Sequence, residues 1–172
     1  MALVLVIISF LLQGNIGLNL ADEDILWYGT IRTAFGEIPI LDFSSKDPGR
    51  YYWTAGWSFI FGQGIMDLRL SVALFQVIGL TLGLLAARRV VKNWWVLGLV
   101  GLLLLAWMYP RWKLFDSSLA MAAVYMAVRL IERPELKRYF YSGVFVGLTA
   151  FMGRNHGLYN FLAFFIIILG HY

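Results

Sequence analysis

Apolar runs separated by short polar segments recur along the whole chain of 172 residues. Six of these runs predict membrane-spanning helices, because a hydrocarbon core of about 30 Å needs about 20 apolar residues in a helix. The last two runs are short for a full crossing unless they extend into their flanks or tilt. The predicted spans lie near residues 2–20, 70–87, 94–109, 115–131, 141–152 and 158–169.

A long and mostly polar segment, residues 21–69, separates the first two predicted spans. Within it, residues 24–35 predict an amphipathic helix that lies at a membrane surface. The aromatic-rich residues 51–61 predict either a second interfacial helix or the beginning of the next span. We therefore predict an all-α fold, a polytopic transmembrane helical bundle with interfacial helices in a long first outer loop. Residues 1–172 would form a single membrane domain.

Composition narrows the class of protein further. The chain is 60% hydrophobic, well above the roughly 45–50% of soluble domains, which favours membrane lipids as its surroundings. A net charge of +4 that comes from loop lysines and arginines suits lipid headgroups rather than nucleic acid. The sequence has no cysteine, which excludes disulfides and thiol chemistry.

Basic residues predict the orientation of the bundle. If the spans alternate, the clusters within 88–92 and 129–138 fall on the same side, and short basic loops of this kind face the cytoplasm. The acidic segment 21–69 and the turns 111–113 and 153–157 would then share the outer side. We accordingly predict a multi-pass protein of the plasma (inner) membrane with its active face outward.

Three consecutive acids, Asp22, Glu23 and Asp24, follow the first apolar run. Such a cluster can simply end a span and stabilise the N-terminus of the next helix through its dipole. It can also supply the carboxylates of a reactive site at the membrane surface. The cluster alone favours the first interpretation.

The second interpretation gains support from an ordered set of motifs along most of the chain. The set comprises the Asp22-Glu23 pair, the amphipathic segment, Gly36-Glu37-x-Pro39, Asp42-Phe43, the proline-containing segment 46–52, Pro110-Arg111-Trp112-Lys113, and the run 143–159 with Gly-Arg-Asn-His-Gly-Leu-Tyr. In this order the motifs resemble the GT-C class of membrane glycosyltransferases, which includes protein mannosyltransferases and aminoarabinose transferases. Members of that class usually run to several hundred residues. The chain therefore resembles the N-terminal portion of a larger GT-C-like module.

The resemblance implies an inverting glycosyltransferase that moves a sugar from a polyprenyl-phosphate donor to a glycan, lipid or protein acceptor. Asp22 is the first choice for the general base and Glu23 the second. Lys46 and Arg50 are the candidate cations for the departing phosphate, although Asp47 intervenes before the proline that often follows the lysine directly. His156 is a candidate contact to the donor phosphate.

The sequence leaves open whether a metal ion is bound and which of several functions the chain has. We assign no metal ligands and no cofactor; a divalent cation is compatible with acids, yet consecutive acids rarely all point at one ion. Lys46 and Arg50 could instead extend to lipid headgroups. A non-catalytic membrane protein that binds lipid-phosphate intermediates, or a small transporter, are the alternative functions. The transporter is disfavoured because the predicted span interiors lack charges.

One further acid begins the fourth predicted span. Asp116 at that depth requires a partner, and we expect an ion pair with Lys113 or Arg111. The aromatic residues of 51–59 predict a membrane-surface belt or, alternatively, a groove for an isoprenoid chain.

Overall fold

The computed structural model describes residues 1–17, 22–109 and 113–170, and this part of the chain is helical without a β-strand. The predicted all-α fold is confirmed. The helices are α1 (Ala2–Gln13), α2 (Glu23–Ala34), α3 (Pro48–Phe61), α4 (Ile65–Ala87), α5 (Trp94–Trp107), α6 (Leu114–Glu132), α7 (Leu136–Met152) and α8 (Arg154–Leu169).

Helix α4 lies at the centre of the bundle, where it contacts α1, α3, α5 and α6. Helix α6 packs against it most extensively. Two glycines one turn apart, Gly79 and Gly83, allow the two helices to come close. A Cβ at Gly79 would overlap Ser118, and one at Gly83 would stand 2.5 Å from Met121 Sδ. The sequence Gly-x-x-x-Gly thus serves here as it does between apolar helices elsewhere, by letting two backbones come close.

Replacing Gly79 with Ala is expected to destabilise the bundle by about 1–3 kcal/mol, because the added methyl group overpacks the contact with Ser118. Gly98 on α5 is the matched control, since a Cβ there meets nothing within 4 Å. Gly98→Ala should be neutral or stabilise by up to about 1 kcal/mol through helix propensity. The free energy of unfolding of both variants can be measured in mixed detergent micelles. Equal values for Gly79→Ala and Gly98→Ala would contradict the packing assignment.

Helices α2 and α3 form a second packed pair beside α4. The Thr30 and Thr54 hydroxyls lie 2.6 Å apart in a hydrogen bond, and Gly29 contacts the Tyr51 ring so closely that no Cβ fits between them. Trp53 on α3 donates its Nε1–H to the carbonyl oxygen of Ser71 on α4 at 2.9 Å. The segment predicted to carry interfacial helices is therefore folded against the bundle.

Contacts between distant residues define two ends of the bundle. At one end, which we call the basic end, Arg89 Nη1 pairs with Glu132 Oε2 at 3.0 Å. The two basic loops thus lie together, as alternating helices predict. At the opposite end, the polar end, His156 Nε2 lies 3.0 Å from Asp116 Oδ1, and Arg69 bonds to the carbonyl of Gly14.

Helix boundaries differ from the predicted spans in several places. Helix α1 ends at Gln13 rather than near residue 20, since the polar Gln13-Gly14-Asn15 triplet interrupts the apolar run. Helix α4 begins at Ile65, five residues before the predicted start, with Asp67 Oδ2 accepting the Gly64 N–H at 3.0 Å. Among the described helices, α4 and α6 are long and apolar enough to span a membrane.

Some residues that the sequence predictions name lie outside the described part of the chain. Residues 18–21, which precede the acid cluster, and Pro110, Arg111 and Trp112 of the resemblance motif lie outside the described residues. The expected Arg111–Asp116 pair therefore lies outside them as well.

Candidate functional site

A cavity of about 850 Å³ opens at the polar end between α1, α2, the segment 44–51, α4, α5 and the start of α6. Its walls toward the bundle are largely apolar, with Ile8 and Leu12 from α1, Val72 from α4, and Leu102 and Leu105 from α5. Charged side chains line the part formed by α2, the segment 44–51 and the first turns of α4. The cavity therefore combines an apolar region with an ionic one, as an amphiphilic ligand requires.

Asp22 is exposed and lines this cavity. It occupies the N-cap position of α2, yet its side chain makes no capping hydrogen bond. A carboxylate at an N-cap usually accepts a backbone N–H of the first turn. Because Asp22 does not, its oxygens are available to a ligand.

Glu23 also lines the cavity but is engaged by a different partner. Arg69 Nε and Nη2 donate to Glu23 Oε1 and Oε2 at 2.7 and 2.9 Å. Both side chains are buried, with 9% of Glu23 and 7% of Arg69 exposed. Both carboxylate oxygens of Glu23 are thus bound to the Arg69 guanidinium in a bidentate pair. Of the predicted pair, Asp22 is therefore the carboxylate that lines the cavity without an ion pair to another described residue.

Lys46 is exposed and lines the same cavity. Within residues 1–17, 22–109 and 113–170, no carboxylate lies within 4.0 Å of its ammonium group in an ion pair. An ammonium group without a protein counter-ion is well suited to an anionic ligand. Lys46 and Asp22 thus place one positive and one negative group on one cavity.

Arg50 lines the cavity too, but its guanidinium group is bound within the protein. Arg50 Nη2 lies 2.6 Å from Asp116 Oδ1 and 3.3 Å from Asp47 Oδ2. Arg50 Nε donates to the carbonyl oxygen of Met152 at 2.8 Å. We call this set, together with His156, the Arg50 network.

The Arg50 network corrects the expected partner of Asp116. Instead of Lys113, which is exposed, Asp116 binds Arg50 and also accepts a contact from His156 Nε2 at 3.0 Å. The physical reason is topological: α3 lies beside the start of α6, and the α7–α8 turn closes over both. His156 reaches the cavity indirectly, through Asp116 and Arg50.

The aromatic residues of α3 divide between the cavity and the packed interior. Tyr51 lines the cavity, and burial raises the pKa of its phenol, so it remains a neutral hydrogen-bonding group at pH 7. Trp53 packs on Phe75 of α4 with ring centroids 5.2 Å apart. Tyr52 stacks on Phe151 of α7. Tyr51 is thus the residue of this aromatic group that contributes to the cavity.

Sequence reasoning missed Arg69. The signal that could have found it is an arginine directly before an apolar run, which the Asp67 cap draws into the helix. A charged residue so placed needs a buried partner, and the buried acid Glu23 supplies it.

Comparison of the chain with profiles of known protein families, with curated proteins and with solved structures finds no match. In the described part of the chain, no group of three or more histidines and acids is arranged to hold a metal ion. Among the charged side chains of the described residues that line the cavity, the Asp22 carboxylate and the Lys46 ammonium form no ion pair with another described residue.

Proposed function

We propose that the chain is a membrane glycosyltransferase of the GT-C type, which takes a sugar from a polyprenyl-phosphate donor. The observation that carries this proposal is the cavity of about 850 Å³ in which Asp22 and Lys46 share one space with an apolar wall. A lipid-linked sugar phosphate has the same three parts: an apolar chain, an anionic phosphate and a polar sugar. The ordered motifs of the sequence support the same class.

In the proposed reaction, an acceptor hydroxyl attacks the anomeric carbon of the donor sugar. Asp22 takes the hydroxyl proton as the new carbon–oxygen bond forms. The bond between the anomeric carbon and the phosphate oxygen breaks, and its electron pair leaves with the lipid phosphate. Lys46 stabilises the negative charge that grows on that oxygen. Attack from the face opposite the phosphate inverts the configuration of the sugar.

A membrane location follows from the same proposal. Helices α4 and α6 are long enough to cross, while α5, with 14 residues, is about 21 Å long and requires local thinning of the bilayer. Large apolar side chains are exposed along α1, α5, α7 and α8. By the positive-inside rule the basic end faces the cytoplasm and the polar end faces outward.

Replacing Lys46 with Gln is expected to weaken the binding of undecaprenyl phosphate by about 10-fold, which corresponds to one charge-assisted hydrogen bond. The matched control is Lys92→Gln, because Lys92 is exposed at the basic end. Binding to the purified chain in lipid nanodiscs can be measured by native mass spectrometry. An equal affinity in the Lys46 and Lys92 variants would contradict the phosphate assignment.

Turnover separates the proposed enzyme from a non-catalytic binder of lipid phosphates. We expect the chain to transfer sugar from at least one of a panel of undecaprenyl-phosphate-linked hexoses and pentoses. A chain that binds undecaprenyl phosphate but neither transfers sugar to an acceptor nor releases sugar to water would favour the non-catalytic function instead.

A further inference from the structure

Arg69 makes a set of contacts that goes beyond one ion pair. Its side chain is buried, and its Nε and Nη2 donate to the two carboxylate oxygens of Glu23. Two further N–H groups donate to the carbonyl oxygens of Gly14 and Gly17. Nη1 also contacts Met66 Sδ at 4.0 Å, so each of the five N–H donors of the guanidinium has an acceptor.

These acceptors lie on either side of one connection in the chain. Gly14 and Gly17 follow the end of α1, and Glu23 is the first residue of α2. Arg69 itself belongs to α4, the central helix. One side chain therefore fixes both ends of the connection between α1 and α2 to the centre of the bundle.

Asp22 is the residue immediately before Glu23, and it has no capping hydrogen bond of its own to fix its side chain. Its carbonyl oxygen accepts the Leu26 N–H at 3.2 Å, so the Asp22 backbone moves with the first turn of α2, which Arg69 binds through Glu23. Arg69 lines the cavity as well, but its donors are already bound within the protein and leave little capacity for a phosphate.

We propose that Arg69 is a positioning residue, which places the Asp22 carboxylate at the cavity by holding Glu23 and the end of α1. This inference rests on the proposed function for its consequence in the reaction. A base that moves by about 1 Å can lose about 100-fold in rate. Loss of Arg69 should therefore lower kcat and leave the affinity for undecaprenyl phosphate unchanged.

The absence of cysteine from the sequence permits a direct test of position. Two nitroxide labels are introduced with Asp22→Cys and Val90→Cys; Val90 is exposed just beyond the far end of α4. Helix α4 rises about 27 Å from Arg69, which binds the neighbour of Asp22, to its end at Ala87, so the labels lie about 30 Å apart, within the range of pulsed electron paramagnetic resonance. We expect a narrow distance distribution with Arg69 present and a clearly broader one in the Arg69→Gln background.

Two further backgrounds keep the test decisive. Arg69→Lys retains the charge but cannot hold a carboxylate and two carbonyls with one planar group, so it should also broaden the distribution. Arg89→Gln removes an exposed arginine at the basic end and should leave it narrow. If Arg69→Gln does not fold, as judged by circular dichroism, Arg69→Lys decides. An unchanged width in a folded Arg69 variant would overturn the proposal.

Kinetics on chains that retain Asp22 supply the second readout. We expect Arg69→Lys to lower kcat for sugar transfer by about 10- to 100-fold without a change in undecaprenyl phosphate binding. Weakened binding with unchanged kcat would overturn the positioning role. If the parent chain transfers no sugar, the proposed function fails while the label distances still decide what Arg69 holds.

Discussion

Asp22→Asn is expected to lower kcat for sugar transfer by about 10²- to 10⁴-fold, the usual contribution of a general base. The substitution keeps the shape of the side chain and removes its ability to accept a proton. Because Asp22 lines the cavity and its carboxylate caps no helix N–H, folding and the binding of undecaprenyl phosphate should be unaffected. Product formation from undecaprenyl-phosphate-linked sugars, followed by mass spectrometry, measures the effect.

The adjacent acid provides the control for this prediction. Asp24 belongs to the same cluster, but its Oδ1 accepts the N–H of Ile25 at 2.7 Å, and it does not line the cavity. Asp24→Asn should change kcat by less than about 2-fold, since it removes only a charge near a helix N-terminus. Wild-type transfer by the Asp22→Asn chain would remove Asp22 from the reaction.

Arg50→Met is expected to lower the free energy of unfolding by about 2–4 kcal/mol. The substitution leaves Asp116 and Asp47 without their shared cation and frees the Met152 carbonyl, while methionine retains much of the packing of the arginine stem. Removing one partner of a largely buried ion pair is costly because the other charge stays behind. With 17% of the Arg50 side chain exposed, the loss should fall below that of a fully buried pair.

The Arg89–Glu132 pair at the basic end gives the comparison. Both side chains are exposed, at 44% and 37%, so Arg89→Met should cost less than about 1 kcal/mol. Unfolding in mixed detergent micelles, followed by tryptophan fluorescence, can measure both variants. Similar losses for Arg50→Met and Arg89→Met would contradict the structural importance of the Arg50 network.

The helices were largely predictable from the sequence, whereas some of their ends were not. Apolar periodicity located α4 to α6 because long apolar runs leave few alternatives to a helix. The end of α1 differs from the predicted one because apolar residues on both sides of Gln13-Gly14-Asn15 give the pattern of one continuous span. The start of α4 was missed because its N-terminal cap is a single contact from Asp67 to Gly64.

Four of the five predicted site residues line one cavity and the fifth, His156, does not, while the contacts among them were not predictable. Asp22, Glu23, Lys46 and Arg50 line one cavity, and the acids and cations of the sequence already mark that region. Which of them are available depends on partners far along the chain: Arg69 is 46 residues from Glu23, and Asp116 is 66 residues from Arg50. No local pattern reveals such pairs.

The long-range contacts of the segment 44–50 also set an order of assembly during synthesis. Asp47 Oδ1 accepts the backbone N–H of Arg154, at the first residue of α8, across 107 positions. Lys46 and Arg50 flank Asp47, and the segment makes its contacts with Asp116 and Arg154 only after α6 and the start of α8 have emerged from the ribosome. A nascent chain halted before α8 would therefore carry Lys46 in a segment that lacks the Asp47 contact to Arg154.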